Sequence, residues 1–394
     1  MKKIPLFKVF MSETAPKAVT EVLTSGFIGQ GPKVEELERN LTSYFETTSS
    51  NVLTFNSATS AEHLIYHLLK KPSRLTTTYD VGESWYDWRG LQEGDEVLTT
   101  PLTCTATNWP ILANGLKIKW VDVDPNTMNI SLEDLKLKLS EKTKIVVVVH
   151  WGGYPVDLVE LEKIRRDFHT KYGFSFMIVD DSAHAFGSKL DNKLIGTFDT
   201  ISTFSMQAIK HITSIDGGFW LCPYNELNKR GKLQRWYGID REGSRGDFRC
   251  ESDIEEWGFK FHMNDVSAAV GIENLKHAND IIRKHRDNAE FYNKELQNIS
   301  GVTLLENSPR KKSAYWLYTM RVERRDEFMR YMNNCGIVTS RVHERNDKHT
   351  CVKEFATELP NIEMVTKDMI CIPVGWWVTE EQREYIVDCI KRGW

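Results

Sequence analysis

The chain has 394 residues, of which 41 % are hydrophobic and 27 % are charged, a composition typical of a globular protein with a large core. Its formal net charge of −4 gives no basic surface, which argues against nucleic acid as a partner. The longest apolar run, residues 145–149, is far too short to cross a membrane, so we expect no membrane association.

The cysteines point to an intracellular location. There are seven, an odd number, and none forms a CxxC pair. This pattern argues against a disulfide framework and against a structural zinc site, and we expect no metal. It favours the reducing environment of the cytoplasm.

Short β-branched runs and longer amphipathic segments alternate through the first two-thirds of the chain. We predict helices and strands from the hydrophobic periodicity and the flanking Gly, Asp, Asn and Pro residues. The predicted strands are residues 52–55, 96–100, 117–121, 144–150, 176–179 and 200–204, and the predicted helices are residues 60–70, 131–139 and 158–172. Such alternation indicates an α/β fold with a largely parallel sheet and helices on both faces.

Two regions depart from this rhythm. Residues 71–94 are polar, aromatic and turn-rich, and we predict an inserted surface loop there. From about residue 255 the pattern changes to a long helical stretch, followed by short strands and helices. These are predicted at residues 264–297, 302–305, 314–322, 326–334 and 380–391. We therefore expect a large domain over residues 1–254 and a smaller α+β domain over residues 255–394.

The first candidate site is VDDSAHAFGS, residues 179–188, where a predicted strand ends in two aspartates. In parallel α/β sheets, ligands bind outside the carboxyl ends of the strands. A carboxylate there can keep the ring nitrogen of a pyridoxal cofactor protonated, which the cofactor needs in order to accept electrons. Aspartates in this position also cap helices, so both interpretations stay open.

The second candidate site is STFSMQAIKHITSIDGG, residues 202–218. Lys210 stands in an apolar setting, which lowers the basicity of an amine and makes it a usable Schiff-base nucleophile. The glycine pair that follows allows a close approach of the backbone to a cofactor. A lysine beside a histidine is also a common solvated surface pair.

The third candidate site is FNSATSAEHL, residues 55–64, which passes from a strand through small polar residues to the start of a helix. Backbone N–H groups at a helix N-terminus bind phosphate. Ser57 or Thr59 could equally be a simple helix cap. The sequence has no P-loop and no GxGxxG motif, so nothing supports a nucleoside triphosphate or dinucleotide.

In this order along the chain, the three sites resemble the DegT/DnrJ/EryC1/StrS family of sugar aminotransferases, and the resemblance extends almost from end to end. GFIGQGPKVEELE, residues 26–38, is similar to the opening loop of that family. WGFKFHMNDVSAAVG, residues 257–271, is similar to the segment that reaches the cofactor of a neighbouring subunit. The resemblance implies a pyridoxal-phosphate-dependent transferase of fold type I. Its mixed, mostly parallel seven-stranded sheet is flanked by helices and followed by a smaller C-terminal α+β domain.

The resemblance also implies roles for individual residues. Lys210 would form the Schiff base with the cofactor and shuttle the proton, Asp181 would pair with the pyridine nitrogen, and His184 would lie against the ring and its phenolic oxygen. Because strand alternation points Asp180 to the opposite face, we expect its replacement to be mild. The phosphate would be held by Ala58, Thr59 and Ser205.

Three cofactor-binding positions depart from the family pattern. Cys104 stands where the family often has an aromatic residue that stacks on the cofactor, and Gln207 stands where His is common. Lys260 replaces the Asn that crosses the dimer interface to the phosphate. A lysine can still neutralise a phosphate as a point charge, so a homodimer with shared active sites is still expected.

The reaction implied is the transfer of an amino group from L-glutamate to a nucleotide-linked keto sugar, which releases 2-oxoglutarate. We favour a 4-keto-6-deoxyhexose because C4 enzymes are the commoner family members, and a 3-keto sugar is the alternative. Related sugar 3-dehydratases carry His in place of the lysine, whereas Lys210 is present here. A regulatory relative without catalysis would be expected to have lost Lys210 or Asp181.

Overall fold

The computed structural model describes residues 3–48, 51–76, 85–243, 247 and 253–394. Its strands are β1 (Val52–Phe55), β2 (Ser73–Thr76), β3 (Trp85–Trp88), β4 (Glu96–Thr99), β5 (Lys117–Trp120), β6 (Thr143–Val149), β7 (Met177–Asp181), β8 (Lys189–Leu190), β9 (Lys193–Leu194), β10 (Ile201–Ser205), β11 (Gly218–Leu221), β12 (Val302–Leu304), β13 (Lys311–Lys312), β14 (Tyr318–Val322) and β15 (Met369–Ile372). Its α-helices are α1 (Ala15–Ser25), α2 (Pro32–Tyr44), α3 (Ala58–Leu69), α4 (Thr105–Ala113), α5 (Leu132–Lys138), α6 (Leu158–Tyr172), α7 (Asn225–Gln234), α8 (Asp265–Leu275), α9 (Ala278–Leu296), α10 (Arg325–Asn334), α11 (Pro360–Asp368) and α12 (Glu380–Arg392).

A seven-stranded sheet forms the centre of the fold, in the order β1–β11–β10–β7–β6–β4–β5. Strand β11 runs antiparallel to β1 and β10, and the remaining neighbours pair in parallel. This confirms the predicted mixed, mostly parallel sheet. The sequence patterns missed β11 itself, because it begins within the glycine pair.

The sheet is buried on both faces, and β6 shows why. Ile145 and Val147 belong to a core that includes residues of α3 and α4. Val146 and Val148 point the other way, into a core that includes residues of α6. Side chains alternate between the faces of a strand, so an unbroken apolar run such as this one is what a sheet covered by helices on both sides requires.

The predicted surface loop over residues 71–94 is wrong in part. Strands β2 and β3 pair antiparallel within it, and residues 77–84 lie outside the described part of the chain. Leu75 and Trp88 are buried in the same core as α3, and the Trp88 Nε1–H donates to the Leu69 carbonyl at 2.6 Å. The sequences of these strands, SRLT and WYDW, stand among polar and turn-forming residues and lack the apolar, β-branched run by which four-residue strands such as β1 were recognised.

The long helix predicted over residues 264–297 is two helices, α8 and α9, with a break at residues 276 and 277. The N-terminal segment packs at this break. Ser12 donates its N–H to the Asn274 Oδ1 at 2.8 Å, and the Phe10 ring lies 5.2 Å from the His277 ring. Neither Gly nor Pro marks the break in the sequence. Contacts with residues far away in the chain are found there instead.

The C-terminal part contains a smaller sheet, in the order β12–β14–β15. Residues of α9, α10 and α12 pack with this sheet in a core of its own. The N-terminal segment joins that core, because Ile4 forms a bridge to Ile337. The domain boundary at residue 254 remains a prediction.

Strand β14 begins at Tyr318, four residues later than predicted. The residues before it form a loop whose backbone contacts the Trp151–Gly153 3₁₀ helix, since Leu317 donates its N–H to the Gly152 carbonyl at 3.2 Å. Within the described residues, no helix is long and apolar enough to span a membrane.

Candidate active site

A cavity of about 870 Å³ opens at the carboxyl ends of β7 and β10. Eight of the nine predicted site residues line it, namely Ala58, Thr59, Cys104, Asp181, His184, Ser205, Gln207 and Lys210. Residues as far apart in the sequence as Ala58 and Lys210, 152 positions, are thereby brought to one place. Lys260 is not part of this wall: its side chain is exposed, and its carbonyl accepts a hydrogen bond from the Asn56 side chain at 3.2 Å.

The start of α3 forms one end of the cavity. Ser57 caps this helix, with its hydroxyl accepting the Ser60 N–H at 3.0 Å, so the cap interpretation is confirmed for Ser57. Ala58 and Thr59 are the first two helical residues, and the N–H groups in this turn have no partners inside the helix. A Cβ on Gly218 would lie 2.4 Å from the Ala58 nitrogen. The close approach at this glycine is therefore between β11 and the start of α3.

Asp181 ends β7 with its carboxylate in the cavity wall. Its Oδ2 accepts a hydrogen bond from the Thr107 hydroxyl at 2.5 Å, and its Oδ1 accepts the Ala183 N–H at 3.0 Å. Burial raises the pKa of Asp181, and these two hydrogen bonds together with the nearby Lys210 oppose that rise.

Asp180 points to the other face of the strand, as predicted. Its carboxylate accepts hydrogen bonds from the hydroxyls of Ser182 at 2.8 Å and Ser202 at 3.0 Å, and the His150 Nε2 lies 2.8 Å away. The residue is fully buried. A mild effect of its replacement on turnover stays a prediction, and a loss of stability is added to it, because a buried carboxylate with three polar partners cannot be neutralised without such a loss.

Lys210 lies in the loop after β10, and its Nζ is 3.7 Å from the centre of the Trp316 ring. The ring is fixed by its Nε1–H, which donates to the Ile209 carbonyl at 2.9 Å. Burial lowers the pKa of Lys210 to about 8, although Asp181 and Cys104 act in the opposite direction. Lys210 is therefore a cavity lysine, and the surface interpretation is wrong.

His184 stacks on the same tryptophan ring. Its ring lies 3.9 Å from the Trp316 ring at an angle of 22°. Its Nδ1 is buried and has no hydrogen-bond partner among the described residues. Burial holds the pKa of His184 well below its usual value, so the ring is neutral at neutral pH.

Cys104 and Gln207 occupy the two remaining predicted positions. Cys104 is the N-terminal capping residue of α4 and is half-buried in the cavity wall. The Gln207 side chain turns back on its own loop, where its Oε1 accepts the Ile209 N–H at 3.0 Å.

Sequence patterns missed several residues of this wall. Trp316 lies in a segment predicted as a strand, and His343 lies in a segment with no predicted element; both line the cavity. Glu62 also lines it, from the second turn of α3, and Thr107 reaches Asp181 from α4. Helical periodicity could have placed Glu62 on the same face as Ala58, because the two are four residues apart.

Known proteins resemble this chain over its whole length. The sequence model of the DegT/DnrJ/EryC1/StrS aminotransferase family matches residues 10–391. The chain belongs to this family. The crystal structure of AtS13 from Actinomadura melliaura is 42 % identical, covers 100 % of both chains and has a TM-score of 0.92. The structure of the sugar aminotransferase CalS13 from Micromonospora echinospora is 40 % identical, covers 99 % of this chain and 100 % of its own, and has a TM-score of 0.90.

A curated relative is similar over part of its length. It is the UDP-4-amino-4,6-dideoxy-N-acetyl-beta-L-altrosamine transaminase of Campylobacter jejuni, which is 31 % identical over 76 % of this chain and 72 % of its own. As a member of the DegT/DnrJ/EryC1/StrS family, the chain is a pyridoxal-phosphate-dependent aminotransferase.

The cavity of this family member fits the cofactor. A helix N-terminus suits a phosphate, and a buried carboxylate suits the ring nitrogen. An amine of lowered pKa suits the aldehyde carbon. The Nδ1 of His184 is buried without a hydrogen-bond partner among the described residues, and a polar atom of a cofactor could bind to it. Among the described residues, no group of three or more His, Cys, Asp or Glu is arranged to hold a metal ion.

Proposed function

We propose that this aminotransferase moves the amino group of L-glutamate onto the keto carbon of a nucleotide-linked sugar, with 2-oxoglutarate as the second product. The observation that carries the proposal is the meeting of Lys210, Asp181 and the start of α3 around one cavity. The names of the similar proteins support it, since CalS13 is called a sugar aminotransferase and the C. jejuni relative is named for a UDP-linked amino sugar. When bound, pyridoxal phosphate withdraws electrons from the carbon that carries the amino group.

In this proposal, the residues at either end of the cavity hold the cofactor. The N–H groups of Ala58 and Thr59 and the hydroxyl of Ser205 bind the phosphate, because a helix N-terminus favours an anion. Asp181 holds the proton on the pyridine nitrogen, where an ionised carboxylate stabilises the positive charge. His184 would contact the cofactor ring.

In this proposal, Lys210 would hold the aldehyde end of the cofactor through its amine and, as a free amine, would move the proton at the substrate carbon. Both tasks need an uncharged amine. An ordinary lysine is almost wholly protonated at neutral pH, whereas a lysine with a pKa of about 8 has a useful neutral fraction. Trp316 limits where the amine can lie, because its ring is 3.7 Å from the Nζ atom.

The related 3-dehydratase activity is not favoured by the geometry. Those relatives use a histidine at the lysine position, and His211 is the only histidine adjacent to Lys210 in the sequence. The His211 ring is buried away from the cavity wall, with its Nε2 3.0 Å from the Ala314 carbonyl oxygen. It is therefore not placed to act on a substrate.

We expect the preferred substrate to be a 4-keto-6-deoxyhexose on a nucleoside diphosphate, which the name of the C. jejuni relative supports. The test is a panel of 3-keto and 4-keto sugars linked to dTDP, UDP or GDP, each incubated with L-glutamate, with 2-oxoglutarate measured. A 4-keto-6-deoxy sugar should exceed its 3-keto counterpart in kcat/KM by roughly tenfold or more, because leaving one buried polar group of the site unpaired costs about 1–3 kcal/mol. The Lys210→Ala protein is the blank, and a preference for 3-keto sugars would refute the C4 assignment.

We also propose that two chains form a dimer in which Lys260 of each serves the phosphate site of the other. Lys260 is exposed and lies outside the cavity of its own chain, as a residue that acts across an interface would. Large apolar side chains are exposed in the opening loop and near Lys260, where Phe27 is 79 % and Trp257 is 65 % exposed. Large apolar side chains that are this exposed suit a subunit contact.

Complementation tests the shared site. Lys260→Ala chains are mixed with Lys210→Ala chains, so that a hybrid dimer has one site with both lesions and one with neither. Activity after subunit exchange should exceed that of either parent and approach roughly a quarter of wild type, since half of the dimers are hybrids with one intact site. Lys294→Ala, which changes an exposed lysine on α9, is the matched control. Unchanged cofactor affinity and rate in Lys260→Ala alone would rule out the cross-subunit role.

A further inference from the structure

Glu62 is a second carboxyl group in the active-site wall. It is only 2 % exposed, although it is an acidic residue in the second turn of α3. Its Oε1 accepts one hydrogen bond, from the Thr203 hydroxyl at 3.0 Å, and its Oε2 is buried without a hydrogen-bond partner among the described residues. An ionised carboxylate with so few partners is very costly to bury.

No lysine, arginine or histidine is among the described groups that shift the pKa of Glu62. Thr203 lies opposite Asp181 in the parallel register of β10 and β7, so the two carboxyls belong to the same wall. The negative charge of Asp181 opposes ionisation of Glu62, in addition to the effect of burial. Along α3, the nearby Tyr66 is itself fully buried. None of the salt bridges in the described part of the chain includes Glu62.

The two carboxyls differ in how well each can carry a charge. Asp181 accepts hydrogen bonds from Thr107 and Ala183, and Lys210 acts on it favourably. Glu62 has the single hydrogen bond from Thr203. Two acids in one buried site do not ionise together, and the one with more donors takes the charge.

We propose that Glu62 is a positioning residue that remains a neutral carboxylic acid and thereby leaves the negative charge of this pair on Asp181. The proposal rests on the proposed function, in which Asp181 must be ionised to hold the proton on the pyridine nitrogen. Burial above all, followed by repulsion from Asp181, holds the pKa of Glu62 well above its usual value. A proton on Asp181 instead would remove the charge that the cofactor needs.

Infrared spectroscopy of the full-length protein, with and without bound cofactor, locates the proton directly. A protonated carboxyl has its own carbonyl stretching band, and ¹³C-labelled glutamate shifts that band only if it arises from a glutamate. We expect a band at neutral pH that shifts with the label and disappears in Glu62→Gln. It should persist in Asp181→Asn with a titration midpoint at lower pH, because the repulsion is lost while the burial remains.

The carbonyl band would behave differently in the two variants if the proposal were wrong. A band that ignores the glutamate label and is lost in Asp181→Asn would place the proton on Asp181. A wild-type protein without any such band at neutral pH would show that both groups are ionised. Either result overturns the role of Glu62 without touching the role of Lys210, and the labelled wild-type protein gives an answer even if Glu62→Gln fails to fold.

The pH dependence of unfolding is a second measurement. A carboxyl whose pKa is raised by folding stabilises the native state fully below its unfolded pKa, and this contribution is lost as the pH rises through the folded pKa. In that window, each pH unit should cost the wild-type protein about tenfold in its folding equilibrium relative to Glu62→Gln. If Glu62 had only a structural role, Glu62→Gln would be less stable by the same amount at every pH, and the two stability profiles would be parallel. Parallel profiles would therefore contradict a neutral Glu62.

Discussion

The Lys210→Ala protein should fold normally and yet turn over several orders of magnitude more slowly than wild type, because it lacks the proposed covalent nucleophile and proton carrier. Lys210 contributes no ion pair to the described structure, and its Nζ rests on the Trp316 ring, so little stability is lost with it. The measurements are single-turnover rates with L-glutamate and circular dichroism for the fold.

Lys3 provides the matched control, because it is another lysine at the same cavity. Lys3→Ala should retain turnover within a few fold. In the wild-type protein, borohydride should fix a pyridoxyl group on one lysine, and peptide mapping should place it at residue 210. A label at residue 3, or substantial turnover by Lys210→Ala, would show that the amine has been assigned to the wrong side chain.

Asp181→Asn should lower kcat by roughly 10²- to 10³-fold, the usual loss when one preorganised electrostatic partner is removed from an active site. An amide is neutral and cannot stabilise a protonated ring nitrogen, while its size still fits the site between Thr107 and Ala183. Cofactor binding should survive, because the phosphate end of the cavity is separate. The readouts are kcat and the visible absorbance of the bound cofactor.

Asp180→Asn is the same chemical change one residue earlier, on the opposite face of β7. There, the loss of the charge beside His150 and of an acceptor for Ser182 or Ser202 should cost about 1–3 kcal/mol of stability. The fraction that remains folded should turn over within a few fold of wild type. If Asp180→Asn abolished turnover and Asp181→Asn lowered only the melting temperature, the roles of the two aspartates would have to be exchanged.

Some of the fold could be predicted because its signals are local. The apolar run of β6 and the helical spacing of α6 are recognisable within a dozen residues, and both elements are found where they were predicted. Alternation along β7 separated Asp180 from Asp181, because successive side chains of any strand point to opposite faces. The ribbon of β2 and β3 was missed, since its residues are polar or aromatic and stand in a turn-rich segment, whereas the equally short β1 is a buried, mostly apolar run.

The sequence by itself determined the family, the order of the three candidate segments along the chain, and the lysine and aspartate now found at the cavity, because each lies in a motif that can be recognised without its neighbours. Only the tertiary structure decided what surrounds them. Trp316 contacts Lys210 from a loop 106 positions further along the chain. Glu62 accepts a hydrogen bond from Thr203, which lies opposite Asp181 in the sheet. Burial and charge are properties of such assembled surroundings, so the pKa of Lys210 and the contrast between the two carboxyls arise only once distant segments pack together.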